Sequence, residues 1–133
     1  MTAAAYDEAG LRWIERLNGT CYSARMIYEY RVYDAVPGRI SDLHARFRDH
    51  TTKIFDRLGM KRIGFFTPEI GGCSDQIVYI LAFDDLGHRE RAWAAFRADP
   101  EWQRVKANTE RDGPIVARLT STILTPTDYS PLR

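Results

Sequence analysis

Cysteine and long hydrophobic runs are both scarce in this chain, and each scarcity excludes a class of protein. The two cysteines, Cys21 and Cys73, are too few for a disulfide-stabilised secreted domain and match no metal or redox spacing. The longest apolar runs have the length of a β-strand, and charged residues interrupt the N-terminal stretch where an export signal needs an uncharged segment. We therefore expect a cytoplasmic protein without a membrane partner.

An excess of one charge is also missing. Nineteen Lys and Arg residues face 18 Asp and Glu residues, and the two kinds are interspersed along the sequence. Because nucleic-acid-binding domains carry a clustered basic surface, we expect no nucleic acid partner. The 133 residues, 44% of them hydrophobic, suit one globular domain and leave no room for a separate cofactor domain. We expect no cofactor and, in the absence of ligand spacing, no metal.

The stretch that organises the chain is Met26–Tyr33, an aromatic and β-branched run that predicts a strand although it contains Glu29 and Arg31. Side chains alternate along a strand, so Glu29, Arg31 and Tyr33 share one face while Tyr28 belongs to the other. We interpret the Tyr28 face as plain core. The charged face is then expected to meet a partly polar space.

The other elements of the domain follow from hydrophobic period and turn residues. In chain order they are a helix over 40–58, a hairpin of strands over 61–67 and 76–83, a helix capped by Asp84 and Asp85, a short helix that begins at Asp99 and Pro100, and a strand over 115–124. This βαββαβ order predicts an α+β, ferredoxin-like subunit, in which one antiparallel four-stranded sheet is covered by helices on one face.

The uncovered face of this sheet should need a partner. Its predicted members are Glu29, Tyr33, Phe66, Tyr79, Leu81 and Phe83. That is more exposed apolar surface than a soluble monomer normally carries. We therefore expect a two-fold homodimer whose sheets pack face to face as a dimeric α/β-barrel.

Residues 1–25 stand apart as an N-terminal extension to a domain over 26–133. Apolar residues at spacings of three over Tyr6–Leu17, followed by an Asn-Gly pair, predict a short helix. Such a helix is marginal in water and needs a surface on which to dock. Met26 also fits an initiator, so two interpretations stay open: a native element, or an extension from an upstream start.

Several motifs resemble those of the NIPSNAP family. They are Tyr28–Tyr33, Leu58-Gly59, Gly64-Phe65-Phe66, Glu69-Ile70-Gly71, Phe83–Leu86 and Asp99–Trp102, and the similarity runs from Met26 to about Leu132. The resemblance implies a dimeric α/β-barrel of ferredoxin-like subunits, without implying a reaction. The wider group of such barrels includes cofactor-independent monooxygenases, haem-handling proteins, lyases and isomerases, so the resemblance also implies a small-molecule cavity.

Glu29 and Arg31 are the first candidates for chemistry. Arg31 could hold an acidic ligand while Glu29 acts as a base. The alternative is that the two pair with each other, or across the dimer axis, and only satisfy one another's charge.

Five further residues complete the predicted site. Tyr79 and His50 are candidates to move protons, with His50 turned into a cavity between helix and sheet. Tyr33, Phe66 and Arg89 are predicted to bind substrate, with Arg89 at the rim. The alternative for the tyrosines and His50 is a packing role with a local hydrogen bond.

The sequence thus predicts a homodimer with a cavity for a small organic molecule, aromatic or polyketide-like in character. It would act as a cofactor-independent enzyme of oxygenase, isomerase or lyase type, or as a binding protein. The alternative is a non-catalytic interaction module in which residues 1–25 are the docking segment.

Overall fold

The computed structural model describes residues 26–133 and, before them, the backbone of three strands. These are β1 (Ala5–Tyr6), β2 (Arg12–Glu15) and β3 (Cys21–Ala24), which pair in that order as an antiparallel sheet. The predicted helix is wrong at β2, because Arg12–Glu15 pairs along its whole length with Cys21–Ala24. The predicted helix positions between and after these strands lie outside the described residues.

The main domain has the predicted ferredoxin-like architecture. Its elements are β4 (Ile27–Ala35), α1 (Ile40–Arg46), a π-helical turn (Phe47–Thr51), α2 (Thr52–Arg57), β5 (Lys61–Phe66), β6 (Gln76–Phe83), α3 (Leu86–Ala98), α4 (Pro100–Thr109) and β7 (Val116–Leu124). The sheet order is β5-β6-β4-β7 with antiparallel neighbours throughout, so the α+β fold class and the β5-β6 hairpin are confirmed. No helix in the described part of the chain is long and apolar enough to span a bilayer.

Two aspartates begin helices at the predicted places, and Asp99 also ends the helix before it. Asp85 accepts a hydrogen bond from a backbone N-H in the first turn of α3, and Asp99 does the same at 3.1 Å for Trp102 in α4. Pro100 occupies the first turn of α4, where its missing N-H has no consequence. The resulting corner at Asp99 sets the Trp102 ring against Phe96, with centroids 4.6 Å apart.

The first helical stretch, predicted as one continuous helix, is interrupted by the π-helical turn. The backbone N-H of Thr52 reaches the carbonyl of Phe47, and the Thr52 hydroxyl donates to the same oxygen at 3.0 Å. A π-turn adds a residue to the helical repeat and re-aims the side chains that follow. Phe47 and Thr51 are the buried members of this turn.

The helices cover the face that was expected to be open. Glu29 is 0% exposed and Arg31 is 8% exposed, opposite Leu81 and Tyr79 of β6 respectively. The prediction assumed that a charged pair requires a polar space. It is wrong because the charge of Glu29 is compensated inside the core by hydrogen-bond donors from β4, β7 and α3.

The open face carries the side chains that were expected to form plain core. Tyr30 at its centre is 36% exposed and pairs with Ile80 of β6. Phe66, paired with Val78, is the member of the predicted open face that does lie there. Tyr28 is buried at one end of this face, where its hydroxyl donates to the carbonyl of Arg133 at 3.0 Å.

Candidate ligand-binding site

Glu29 lies on the helix-covered face of the central strand and accepts hydrogen bonds from four side chains. The donors are Arg31 Nη1 at 2.7 Å, Arg89 Nε and Nη2 at 3.0 Å each, Trp93 Nε1 at 2.7 Å and Ser121 Oγ at 2.6 Å. They come from β4, α3 and β7. The carboxylate therefore connects the sheet to the helix layer.

The environment of Glu29 keeps it ionised. Burial by itself would raise its pKa, but the hydrogen bonds from Arg89, Ser121, Trp93 and Arg31 together outweigh burial and lower the pKa to about 2. A carboxylate with so low a pKa is a weak base near neutral pH. The pairing of Glu29 with Arg31, which was the alternative interpretation, is the arrangement observed.

Arg31 is also occupied by its neighbours. Besides Glu29, it donates from Nη2 to the Tyr33 hydroxyl at 3.2 Å, and its guanidinium lies 4.3 Å from the centroid of the Trp93 ring. Its Nε is the buried side-chain nitrogen or oxygen that finds no hydrogen-bond partner among the described residues. Arg31 is thus buried among these partners and is 8% exposed, so it does not form part of the surface of the site.

Two tyrosine hydroxyls extend this network. Tyr79, which is fully buried, donates to the Tyr33 hydroxyl at 3.0 Å. Burial and the nearby Tyr33 raise the pKa of Tyr79 well above its usual value, although Arg31 opposes this effect. Because Tyr33 accepts from both Tyr79 and Arg31, its own proton is available to a further acceptor, such as a ligand oxygen.

A half-open cleft of about 390 Å³ lies between the β7 edge of the sheet and the helices. Its aromatic lining consists of Tyr33, Phe47, Phe55, Trp93, Phe96 and Trp102. Its charged lining consists of Arg46, Lys106, Glu110 and Arg118. A cavity of this size that combines aromatic walls with a few polar groups suits a small-molecule ligand.

Arg46 is the buried cation of the cleft. It is 5% exposed, pairs with Glu110 at 3.1 Å and places its guanidinium 5.3 Å from the centroid of the Trp102 ring. The sequence analysis did not single out this residue, because its partners Glu110 and Trp102 are distant in the sequence. Its position three residues after Leu43, on the apolar stripe, was the available signal.

The NIPSNAP family model matches residues 28–131, from β4 to the C-terminal tail. This chain belongs to the NIPSNAP family. Mouse protein NipSnap homolog 3B is 28% identical over 78 residues, which are 57% of this chain and 30% of the mouse protein. The chain thus spans well under half the length of that relative.

Solved structures show the same NIPSNAP fold. A NIPSNAP-like domain protein from Burkholderia xenovorans is 30% identical with a TM-score of 0.72, and the alignment covers 81% of this chain and 90% of that one. A putative antibiotic biosynthesis monooxygenase from Bacteroides thetaiotaomicron aligns with a TM-score of 0.56 over 77% of this chain and 90% of its own. At 17% identity, that likeness is one of fold alone.

Two predicted site residues of this NIPSNAP domain lie away from the cleft. His50 borders a separate polar cavity of about 270 Å³ together with Asp49 and Asp112, because the π-helical turn aims Thr51 rather than His50 toward the sheet. Phe66 is 55% exposed on the open face, and its ring lies over Gly64, where an added Cβ would stand only 2.6 Å from it. Neither residue lines the aromatic cleft, although Phe66 borders another cavity, of about 430 Å³. A role of His50 or Phe66 in ligand binding stays a prediction.

The structure groups the other predicted residues around Glu29, together with two residues that were not predicted, Trp93 and Ser121. The predicted ones are Arg31, Tyr33, Tyr79 and Arg89. Arg89 is a partner of Glu29 and of Glu90 on its own helix rather than a rim residue of the cleft. The sequence analysis identified neither Trp93 nor Ser121 as a partner of Glu29, although a buried indole N-H needs an acceptor. Over residues 26–133, no group of three His, Cys, Asp or Glu side chains is placed to hold a metal ion.

Proposed function

We propose that this NIPSNAP protein binds a small organic molecule with a flat, apolar body in the cleft beside β7. The observation that supports this function best is the aromatic lining of a cleft of about 390 Å³, to which the polar side chains Tyr33 and Arg46 also contribute. Flat aromatic walls favour a planar ligand through stacked and edge-to-face contacts.

The environment of Glu29 supports a binding function rather than a catalytic one. The pKa of Glu29 is lowered to about 2 and that of Tyr79 is raised, so neither group is suited to exchange a proton near neutral pH. The carboxylate is also engaged by four donors and lies behind Tyr33 and Trp93. The role proposed for Glu29 and its donors is therefore to hold the side chains at the base of the cleft in place. These donors are Arg31, Arg89, Trp93 and Ser121.

A cofactor-independent enzyme acting on a carbonyl compound is the second candidate, and one observation favours it. The Tyr33 hydroxyl accepts two hydrogen bonds, one of them from the cation Arg31, and lines the cleft. A donor held in this way could stabilise the oxygen of an enolate, as isomerases and oxygenases of this kind require. Loss of turnover with retained binding in Tyr33→Phe would separate this candidate from simple binding.

We further propose that the protein is a homodimer joined through the open sheet face. Exposed apolar side chains on that face include Tyr30, Phe66 and Leu124. A two-fold axis would cover the same patch on both copies. The dimeric barrel implied by the family resemblance has this form.

The binding proposal is tested by filling the cleft. Thermal-shift screening of planar aromatic acids, amides and ketones should identify compounds that raise the melting temperature, because they bind only the folded state. Ala117→Trp, in the cleft lining, should abolish that shift. Ala107→Trp, on the exposed side of α4, is the matched control and should preserve it. Equal shifts in both variants, or no shift with any compound, would refute the proposal.

A further inference from the structure

We infer that Arg46 is the anion anchor of the cleft and that the ligand carries a carboxylate. This inference rests on the proposed binding function and adds the chemical class of the ligand. The sequence had assigned this role to Arg31. Both outer nitrogens of Arg31 are already engaged, by Glu29 and Tyr33, and Arg31 is not among the residues that line the cleft.

Arg46 has hydrogen-bonding capacity that the protein does not use. Both of its hydrogen bonds to described residues start from Nη1, to Glu110 at 3.1 Å and to Thr109 at 3.5 Å. Nε and Nη2 therefore keep three N-H groups without a partner in the described part of the chain. Although Arg46 is only 5% exposed, neither atom is completely buried, because Arg31 Nε is the completely buried unpartnered nitrogen of the described residues.

The unused edge of Arg46 has the geometry that a carboxylate recognises. Nε and Nη2 lie side by side and donate two nearly parallel hydrogen bonds to the two oxygens of one carboxylate. The guanidinium is held in place from the other side by the ion pair with Glu110 and by the Trp102 ring. Such pre-orientation reduces the entropy that binding must otherwise overcome.

Arg46 borders two cavities, and charge selects the aromatic one for an anion. Besides Arg46, the polar cavity near His50 is lined by three carboxylates, Asp42, Asp49 and Asp112, and by one further cation, Arg39, which pairs with Asp42 at 2.6 Å. The aromatic cleft is lined by three cations, including Lys106, and by one carboxylate, Glu110. An anion is repelled on the first side and attracted on the second. Its apolar body then lies against Trp102 and the neighbouring rings.

The test uses a matched pair of probes, 2-naphthoate and 2-naphthamide, in calorimetric titrations of the full chain. Arg46→Lys keeps the charge but cannot form the two-point contact, so naphthoate affinity should fall by roughly tenfold. Lys106→Gln removes an exposed cation from the same cleft, which attracts the anion only through water, so the loss of naphthoate affinity should be clearly smaller, about twofold. The uncharged naphthamide should lose less affinity than naphthoate in Arg46→Lys.

Three results would overturn the inference while leaving the proposed function intact. These are equal binding of the acid and the amide by the wild-type protein, unchanged naphthoate affinity in Arg46→Lys, and an equal loss in Lys106→Gln. Failure of the wild-type protein to bind any planar probe would instead refute the proposed function itself.

A crystal structure of the wild-type protein with 2-naphthoate keeps the test decisive even if Arg46→Lys does not fold. The carboxylate should lie within hydrogen-bond distance of Nε and Nη2 of Arg46. A carboxylate bound at Lys106 or Arg118 instead would overturn the inference.

Discussion

Trp93 on α3 donates its indole N-H to Glu29 on β4 across 2.7 Å, although 64 residues separate them in sequence. Arg89, one turn earlier on the same helix, donates to the same carboxylate. The helix is therefore fixed to the sheet by a buried charge as well as by apolar contacts. Because hydrogen bonds to an ionised acceptor are the stronger ones and Arg89 also pairs with its charge, the position of α3, and with it one wall of the cleft, should depend on the charge of Glu29.

Glu29→Gln should destabilise the protein by roughly 3 kcal/mol, because it leaves the buried Arg31 without a compensating charge and removes one of the two carboxylates that pair with Arg89. Urea denaturation followed by circular dichroism measures the change. Asp56→Asn is the matched control, since it removes the carboxylate of the exposed ion pair with Arg62 and should cost less than about 1 kcal/mol. Equal effects of the two substitutions would contradict the assigned role of Glu29.

Stability should fall with acid in a window set by Glu29. Its pKa is about 2 in the folded protein and about 4.3 in an unfolded chain, so the unfolded state takes up the proton first. The stabilising contribution is complete above about pH 5 and is lost as the pH falls toward 2, by about 3 kcal/mol in all.

The free energy of unfolding, measured from pH 6 to pH 3, should decline less steeply in Glu29→Gln than in the wild type. Asp34 and Asp99 also have lowered pKa values, through the side chains of Gln76 and Arg57 respectively, but they are the same in both proteins. The difference between the slopes therefore isolates Glu29. Parallel slopes would show that this carboxylate is not held ionised.

Tyr33 and Tyr79 should respond unequally to loss of their hydroxyls. Tyr33→Phe leaves the fully buried Tyr79 hydroxyl and Arg31 Nη2 without their shared acceptor, which should cost about 1 to 3 kcal/mol. Tyr79→Phe removes a donor from a hydroxyl that also reaches the cleft, so the expected cost is below about 1 kcal/mol. Thermal unfolding of the two variants gives the order, and the reverse order would contradict the proposed network.

Most of the fold follows from local chemistry and could be predicted from the sequence. The Asp99-Pro100 start of α4 and the alternation in β6 depend on neighbouring residues, so their signals are present in the sequence. The orientation of the sheet was missed because it depends on donors from distant elements. Trp93 and Ser121 make the burial of Glu29 feasible, and nothing near Glu29 in the sequence reports them.

The candidate site was predicted in part for the same reason. Glu29, Arg31, Tyr33 and Tyr79 share one face through strand alternation and register, and the structure groups them accordingly. His50 was misplaced because a π-helical turn leaves no trace in the apolar spacing of the helix. Arg46 was missed because its burial depends on Trp102 of α4 and on Glu110 directly after it, both more than 50 positions away.

The last prediction concerns the proposed dimer. Tyr30 lies at the centre of the open face, between Ile80 and Thr122 on the neighbouring strands. Tyr30→Lys would place two like charges near the two-fold axis and should convert a dimer into a monomer in sedimentation experiments at micromolar concentration. Leu86→Lys is the control, because Leu86 is 57% exposed at the start of α3, outside the sheet. A monomeric wild-type protein would refute the face-to-face arrangement, whereas the cleft beside β7, which is formed within one subunit, would remain available to a ligand.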